Sequence, residues 1–275
     1  MNGPRTVLTT GANSGIGLET VIELARRGFR SVGSVRSEEK AGVVHDAAKE
    51  AGVEVETVFV DVADAAGCER VIADLGAPLY GLVNNAGYSG TGAIEEIDDD
   101  HARRQLEVML VAPMRLARLA LPAMRAGGGG RIVNISSIYG RTTTPLTGWY
   151  QAAKHGLEAA SDALRMEVAG DGIKVVLVEP GGFRTGIWDE LERDVEARSS
   201  SPYASSYRRT LQLTKLGQPF MGHPRQVARV IAGAIEARSP RTRYLVGYDA
   251  QALALVDSFT PTFLKDRVTR AVLGL

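Results

Sequence analysis

Along the first 180 residues, short apolar segments rich in Val and Ile alternate with longer segments in which apolar residues recur at helical spacing. The apolar segments predict strands at Arg5–Thr10, Arg30–Arg36, Val53–Val60, Leu79–Asn84, Arg131–Ser137 and Ile173–Glu179. The intervening segments predict helices at Gly15–Arg27, Ser37–Ala51, Asp64–Leu75, Asp98–Ala126 and Gly148–Ala169. Strands this continuously apolar are typical of a parallel sheet covered by helices on both faces. The alternation therefore predicts an α/β fold with a doubly wound parallel sheet.

The pattern changes after Gly181. Residues 182–222 combine Pro, Ser, Tyr and Trp without a clean period, and Pro224–Arg238 then predicts a helix. A short strand near Tyr244–Val246 and an amphipathic C-terminal tail follow. Because no shift in composition marks a boundary, we expect one domain over residues 1–275, with residues 182–222 inserted as a lid over a substrate site.

Charge and cysteine content exclude several classes of protein. The 32 basic and 32 acidic residues cancel, so no global field would attract nucleic acid. The single cysteine, Cys68, excludes an internal disulfide framework, and we expect it to pack inside the protein. No apolar stretch is long enough for a membrane span, so we expect a cytoplasmic protein. No set of side chains has the spacing of a metal site.

A glycine-rich sequence, TGANSGIG at residues 10–17, lies where the first predicted strand turns into the first predicted helix. Glycines let the backbone turn sharply and approach a pyrophosphate, whose charge is favoured at a helix N-terminus. The alternative is a set of ordinary turn glycines. The position directly after the first strand favours dinucleotide binding.

Polar residues follow the third and fourth predicted strands. Asp61-Val62 comes after the third strand, and Asn84-Asn85-Ala86-Gly87 comes after the fourth. Doubly wound sheets bind their ligands at the carboxyl ends of the strands, where both motifs lie. Either motif alone could instead form an Asx-type turn.

Tyr150 and Lys154 lie four residues apart on a predicted helix and so share one face of it. A free tyrosine has a pKa of about 10, too high for proton transfer near neutrality. A nearby ammonium would lower that pKa, because it favours the phenolate. Ser137, at the end of the fifth predicted strand, can hydrogen-bond a substrate oxygen. A Tyr and a Lys at this spacing also occur by chance in many helices.

Together these motifs resemble the short-chain dehydrogenase/reductase family, in that family's order and at its spacing, over about residues 5–185. The resemblance implies a Rossmann-like fold that binds NAD(H) or NADP(H), and an enzyme that interconverts an alcohol with a ketone or aldehyde. It implies that Tyr150 is the general acid/base, that Lys154 lowers its pKa and holds the nicotinamide ribose, and that Ser137 orients the substrate oxygen. The residues expected to bind the cofactor are Gly11, Asn13, Ser14, Gly15, Ile16, Gly17, Arg36, Asp61, Val62, Asn84, Ala86, Gly87, Tyr150, Lys154, Pro180, Gly181, Phe183 and Thr185.

The end of the second predicted strand favours NADP(H) over NAD(H). An acidic residue there would bind the ribose hydroxyls and repel a 2′-phosphate. This chain instead has Val35 followed by Arg36, whose guanidinium suits a phosphate. The alternative is that Arg36 simply faces solvent.

One position departs from the family pattern. Members usually carry an Asn in the long helix before the fifth strand, where it helps to hold a water that relays protons to the active-site Lys. Met109 occupies that position here, and its thioether is at most a weak acceptor and cannot donate. We expect a slower relay or another route. Gln105, one turn earlier, could hold the water instead, and Met109 could equally be a packing residue.

Aromatic residues near the predicted site favour a bulky apolar substrate. They are Tyr88, Trp149, Trp188, Tyr203 and Tyr207. Two alternatives stay open: a catalytically weak NADP(H)-binding regulatory protein, and an epimerase or dehydratase of the same family. The apolar face of the C-terminal tail, including Phe263 and Val268, predicts packing or a contact between subunits, and we expect a homo-oligomer.

Overall fold

The computed structural model describes residues 3–75 and 79–275, except for the side chain of Ser258. Its strands are β1 (Thr6–Thr9), β2 (Arg30–Val35), β3 (Glu56–Phe59), β4 (Leu79–Asn84), β5 (Gly130–Ile135), β6 (Ile173–Pro180) and β7 (Arg243–Val246). They form one seven-stranded sheet in the order β3-β2-β1-β4-β5-β6-β7. Every neighbouring pair is parallel. The order reverses between β1 and β4, and doubly wound sheets bind their ligands outside such a point.

The helices connect the strands and cover both faces of the sheet. The first six are α1 (Gly15–Arg26), α2 (Glu38–Glu50), α3 (Ala65–Asp74), α4 (Asp99–Leu106), α5 (Ala112–Ala126) and α6 (Gly148–Glu167). The last five are α7 (Ile187–Glu196), α8 (Ala204–Gly217), α9 (Pro224–Glu236), α10 (Tyr248–Phe259) and α11 (Thr262–Leu273). The predicted doubly wound Rossmann-like fold is confirmed.

Alternate residues of the central strands pack into different cores, because successive side chains of a strand point to opposite faces. On one face Val83 and Val133 pack with Leu24 of α1 and Ile231 of α9. On the other face Leu82 and Ile132 pack among residues of the helices α3, α5 and α6. Each of the central strands β4 and β5 is therefore buried on both sides, as the apolar pattern predicts.

Cys68 is fully buried in α3 and belongs to the second of these cores. Its thiol donates to the backbone oxygen of Val62 at 3.3 Å. Burial raises the pKa of the thiol and outweighs the opposing effect of Arg115. The prediction that Cys68 is a packed residue is confirmed.

The structure differs from the predicted elements in several places. The third strand is shorter than predicted and partly exposed, and the C-terminal tail forms α10 and α11. Two further differences lie near the site. Residues 182–222 contain α7 and α8, whose short apolar stripes are hidden among Ser, Pro and charged residues. Leu191 and Val195 of α7 lie one turn apart, and they pack with Tyr207 of α8. The predicted long helix is continuous from α4 to α5, but its turn at Glu107–Val111 is a π-helix, and Met109 lies within it. Such turns are frequent at functional sites.

Nothing in the described ranges, residues 3–75 and 79–275, forms a helix that is long and apolar enough to cross a bilayer.

Candidate active site

The glycine-rich loop leaves β1 and enters α1 at the point where the strand order reverses. Gly11 and Gly15 have φ values of +65° and +52°, which favour glycine over residues with a side chain. A Cβ on Gly17 would overlap the carbonyl oxygen of Gly11. The loop therefore needs these glycines, and it leaves an uncovered backbone surface at the N-terminus of a helix. That surface fits a pyrophosphate.

Hydrogen bonds join the loop after β4 to the loop after β1. The Thr10 hydroxyl accepts from the backbone N–H groups of Asn85 and Ala86 at 2.9 and 3.0 Å. The Asn85 side-chain amide donates to the carbonyl oxygens of Thr10 and Gly11 at 2.9 and 3.2 Å. The two predicted cofactor loops thus form one rigid edge. Thr10 and Asn85 are not among the predicted site residues. Both nevertheless lie inside the two motifs that predicted these loops, residues 10–17 and 84–87.

The segment after β6 lies against the same edge. A Cβ on Gly15 would come within 3.0 Å of the Thr185 side chain, so Thr185 borders the glycine-rich loop. Phe183 is buried. The Gly182 N–H donates to the Asp249 carboxylate of α10 at 2.5 Å. The C-terminal part of the chain therefore fixes the Pro180–Thr185 stretch, and Asp249 is a residue that the sequence motifs do not reveal.

Two arginines lie close enough to Asp61, one of the residues predicted to bind the cofactor, to lower the pKa of its carboxyl group. Arg36, directly after β2, is exposed and forms no hydrogen bond or ion pair with the described residues. Arg104 of α4 pairs with Asp61 at 2.7 Å. Burial tends to raise the pKa of Asp61, but the backbone N–H of Ala63 and the charges of Arg104 and Arg36 lower it overall. Val62 turns its side chain into the core.

The predicted catalytic residues meet where β5 ends and α6 begins. Ser137 follows β5 and accepts from the Tyr139 N–H at 3.2 Å. The rings of Tyr139 and Tyr150 meet edge to face with centroids 6.5 Å apart. Lys154, one turn beyond Tyr150 on α6, is buried, and its Nζ donates to the Ile135 carbonyl oxygen at 2.7 Å. The structure thus brings Ser137, Tyr150 and Lys154 together.

Burial dominates the protonation of this group. It raises the pKa of Tyr150 to about 12, although a hydrogen bond from Ser137 opposes the rise. It lowers the pKa of Lys154 to about 8, although the charge of Glu158 opposes the fall. The expected lowering of the Tyr150 pKa by Lys154 is not seen in this state, because the Lys154 Nζ is turned to Ile135 and lies 5.7 Å from the centre of the tyrosine ring.

The side chains of Asn84, Gln105 and Met109 are more deeply buried than the sequence motifs suggest. The Asn84 side chain points into the core, where its amide donates to Asn134 at 2.8 Å and to the Pro113 carbonyl at 3.2 Å. The Gln105 amide donates to the Ser89 carbonyl oxygen at 3.1 Å, so it holds the loop after β4. Met109 is buried. A Cβ on Gly87 would lie 3.4 Å from its sulfur, so Met109 packs directly beneath that loop.

The helices α7 and α8 cover the loop that follows β4. Glu190 and Asp194 of α7 accept from the backbone N–H groups of Ser89 and Thr91 at 3.2 and 3.0 Å. The Tyr207 hydroxyl of α8 accepts from the Ala93 N–H and donates to Glu96, both at 2.6 Å. Tyr207 is therefore a fully buried packing residue of the cover, not a wall of the cleft.

An apolar cavity of about 380 Å³ opens beside the N-terminus of α6. Its wall includes Ile94, Pro145, Leu146 and Ala152. Leu146 has a φ of +68°, which is unusual for a residue with a side chain. The backbone is therefore strained directly before the helix that carries Tyr150, and strain of this kind concentrates at functional sites.

Comparison with known proteins gives the family. A family model described as short chain dehydrogenase matches residues 5–196. The uncharacterized oxidoreductase YusZ of Bacillus subtilis is 32% identical over 268 residues, which cover 94% of each chain. Human retinol dehydrogenase 5 is 33% identical over 290 residues, which cover 97% of this chain and 88% of that protein. A solved structure of an actinorhodin polyketide ketoreductase variant with NADPH has a TM-score of 0.79 at 30% identity, with 91% and 97% of the two chains covered.

The chain belongs to the short-chain dehydrogenase/reductase family, and it is an NAD(P)-dependent oxidoreductase.

Proposed function

We propose that the protein is an NADP(H)-dependent dehydrogenase or reductase that interconverts an alcohol with a ketone or aldehyde. The observation that carries this proposal is the grouping of Ser137, Tyr150 and Lys154 beside a glycine cradle at the reversal point of the sheet. The intact set favours oxidation and reduction over the regulatory alternative and over the epimerase or dehydratase alternative, which product analysis would reveal.

The cradle fits a dinucleotide. Gly11, Gly15 and Gly17 leave the backbone of the loop open to the pyrophosphate, and Thr185 borders it from the opposite side. When bound, the nicotinamide would supply or accept the hydride. Lys154 would hold the ribose. The Asn84 side chain would support the site from beneath, through its bonds to β5 and α5.

The chain's own residues handle the proton. Its raised pKa keeps Tyr150 a phenol at neutral pH, which suits a group that donates to the oxygen of a ketone during reduction. The Ser137 hydroxyl lowers the pKa of Tyr150 against the larger effect of burial, and it would orient the same substrate oxygen. In the oxidation direction Tyr150 must first lose its proton, and the ammonium of Lys154 is the nearby charge that would stabilise the phenolate.

NADP(H) is proposed over NAD(H) because Arg36 is exposed and unpaired among the described residues, at the end of β2. It is followed by Ser37, the N-cap of α2, so the N-terminal end of a helix dipole would also face a 2′-phosphate. Similar solved structures include one with NADPH and one in complex with NADP.

We propose a bulky apolar substrate. The name retinol dehydrogenase describes a relative that acts on a lipophilic alcohol. The cavity beside α6 is apolar, but neither Ser137 nor Tyr150 lines it, so the size of the substrate is argued from the relative. Of the five aromatic residues that suggested such a substrate, Trp188, Tyr203 and Tyr207 belong to the packing of the cover. The Trp188 indole donates to the Phe183 carbonyl oxygen at 2.6 Å, so it also braces the segment after β6.

The test is turnover with NADPH and with NADH against ketones graded from small to bulky and hydrophobic. We expect NADPH-dependent reduction, with kcat/KM rising as apolar size increases. A steady fall in kcat/KM toward bulky ketones would refute the substrate class. Tight NADPH binding without turnover on any carbonyl or alcohol would favour the regulatory alternative, and product analysis would reveal an epimerase or dehydratase.

A cytoplasmic homo-oligomer completes the proposal. Exposed apolar side chains on α10 and α11, among them Phe259 and Phe263, support a contact between copies. Light scattering of the purified protein measures the oligomeric state.

A further inference from the structure

The first turn of α10 contacts the segment that follows β6. Asp249 lies in that turn, and its Oδ2 accepts the Gly182 N–H at 2.5 Å. A Cβ on Gly181 or on Gly247 would overlap the Asp249 carboxylate. The carboxylate therefore occupies a space that these two glycines leave open, and it lies directly against the backbone of the segment.

Asp249 completes the attachment of this segment to the rest of the fold. On either side the segment is held by backbone groups, because the Gly181 N–H donates to β7 at 2.9 Å and the Arg184 N–H donates to Gly222 at 3.0 Å. Between these two bonds, the Gly182 N–H has no backbone acceptor among the described residues. Asp249 supplies that acceptor from α10, as a side chain.

The attached segment borders the predicted cofactor site. A Cβ on Gly15 would come within 3.0 Å of the Thr185 side chain, so the segment lies against the glycine-rich loop. The N–H groups of Phe183 and Thr185 form no hydrogen bond with any residue that the structure describes, so both can donate to a ligand. The carboxamide oxygen of a nicotinamide accepts donors of this kind. The anchoring of Gly182 therefore sets where these donors lie relative to the loop that fits the pyrophosphate.

The helix α10 also lies beside the turn Ile138–Gly140, which follows Ser137. Burial raises the pKa of Tyr139 in that turn, and the charge of Asp249 adds to the rise. The ring of Tyr139 meets the ring of Tyr150 edge to face. The first turn of α10 is therefore close both to the segment after β6 and to the turn beside the predicted catalytic group.

We propose that Asp249 is a positioning residue for the nicotinamide half of the cofactor, because its carboxylate fixes the Gly182 N–H and so holds Pro180–Thr185 where that half binds. The helix α10, whose apolar side chains are mostly exposed, then contributes to cofactor binding through this residue. This inference rests on the proposed function to the extent that the segment must face the nicotinamide. The attachment of the segment can nevertheless be measured without any cofactor.

The first experiment compares two ligands by calorimetric titration. NADPH has both halves of the cofactor, whereas adenosine 2′,5′-bisphosphate has only the adenosine half. In Asp249→Ala the Kd of NADPH should rise roughly ten-fold, because a hydrogen bond to a charged acceptor is lost, and the Kd of the bisphosphate should stay native. Asp249→Asn, whose amide oxygen can still accept the Gly182 N–H, should keep most of the NADPH affinity.

The matched control is Asp257→Ala, which removes a carboxylate from the same helix and changes the net charge equally. Asp257 instead pairs with Lys265 of α11 at 2.7 Å, so both affinities should stay native. The second experiment measures backbone hydrogen exchange without cofactor. Peptides that cover residues 180–186 should exchange faster in Asp249→Ala than in the native protein or in Asp257→Ala, whereas peptides from β5 should not change.

Native exchange over residues 180–186 in folded Asp249→Ala would overturn the inference, whether or not the protein binds a cofactor. Native affinity for NADPH, or an equal loss of affinity for NADPH and the bisphosphate, would also overturn it. Faster exchange in a protein whose native form binds no dinucleotide would instead support the attachment by Asp249 and refute the proposed function. If Asp249→Ala does not fold, Asp249→Leu, which is similar in size and has no acceptor, makes the same test.

Discussion

Every residue of the central strand β5 is buried, whereas each of the last two helices, α10 and α11, buries a single side chain among those described. Ala250 is the buried residue of α10, and Leu273 is that of α11. Exposed apolar side chains on these helices include Leu255, Val256, Phe259, Phe263 and Val268. The sheet stabilises the fold by excluding water from both faces, whereas α10 and α11 leave most of their apolar side chains exposed. Apolar residues therefore stabilise the fold in one region and remain on the surface in the other.

The largest expected effect follows from the sheet. Ile132→Ala removes a fully buried side chain from β5 and should lower the free energy of unfolding by about 2–5 kcal/mol. Val256→Ala in α10, where the side chain is 59% exposed, should change it by less than about 0.5 kcal/mol. Urea denaturation measures both. These values apply to a single copy of the chain. A loss at Val256 comparable to that at Ile132 would mean that α10 is covered in solution, as the proposed contact between copies requires.

The next prediction compares Tyr150 of the predicted catalytic group with Tyr207 of α8, one of the two helices that cover the loop after β4. Tyr150→Phe should cut kcat roughly 100-fold or more while cofactor binding stays nearly native, because a positioned acid is lost. The control is Tyr207→Phe in α8, which removes a hydroxyl shared by Ala93 and Glu96 and touches no reacting atom. It should lower stability by about 1–3 kcal/mol and raise KM more than it lowers kcat. Near-native turnover in Tyr150→Phe would show that another group donates the proton.

A smaller effect is expected at Arg36, directly after β2. Arg36→Ala should weaken NADPH binding by about 1–3 kcal/mol and leave NADH binding unchanged, because only NADPH carries the 2′-phosphate. Arg26→Ala, at another exposed arginine in the last turn of α1, is the control and should affect neither cofactor. Fluorescence titration gives both affinities. Equal weakening of NADPH and NADH in Arg36→Ala would remove its proposed role.

The contrast between regions also explains what the sequence could predict. Strands such as Leu79–Asn84 are predicted at their observed bounds because burial on both faces demands continuous apolar residues. The helices α7 and α8 escaped prediction because each buries only a narrow stripe and takes its remaining contacts from distant loops, as Tyr207 does with Glu96.

Within the site, the sequence motifs locate Ser137, Tyr150 and Lys154, but not the residues that hold the surrounding segments in place. Asp249 lies 67 residues from Gly182, and Arg243 lies 85 residues from Glu158, so local spacing carries no trace of either contact. The pKa values of Tyr150 and Lys154 were likewise beyond reach, because they depend on how completely the fold excludes water from both side chains.

Because Cys68 is buried, the rate at which its thiol can be labelled measures local opening of the native protein. A thiol with no exposed surface and a raised pKa can react with a soluble reagent only while α3 is transiently detached. Because the chain has no other cysteine, the labelling rate reports that opening alone. Val62, which accepts the thiol hydrogen bond, adjoins Asp61 at the proposed adenosine end, so saturating NADPH should slow the labelling by mass action. The labelling rate of Cys68 would then report cofactor occupancy in the native protein, without any substrate.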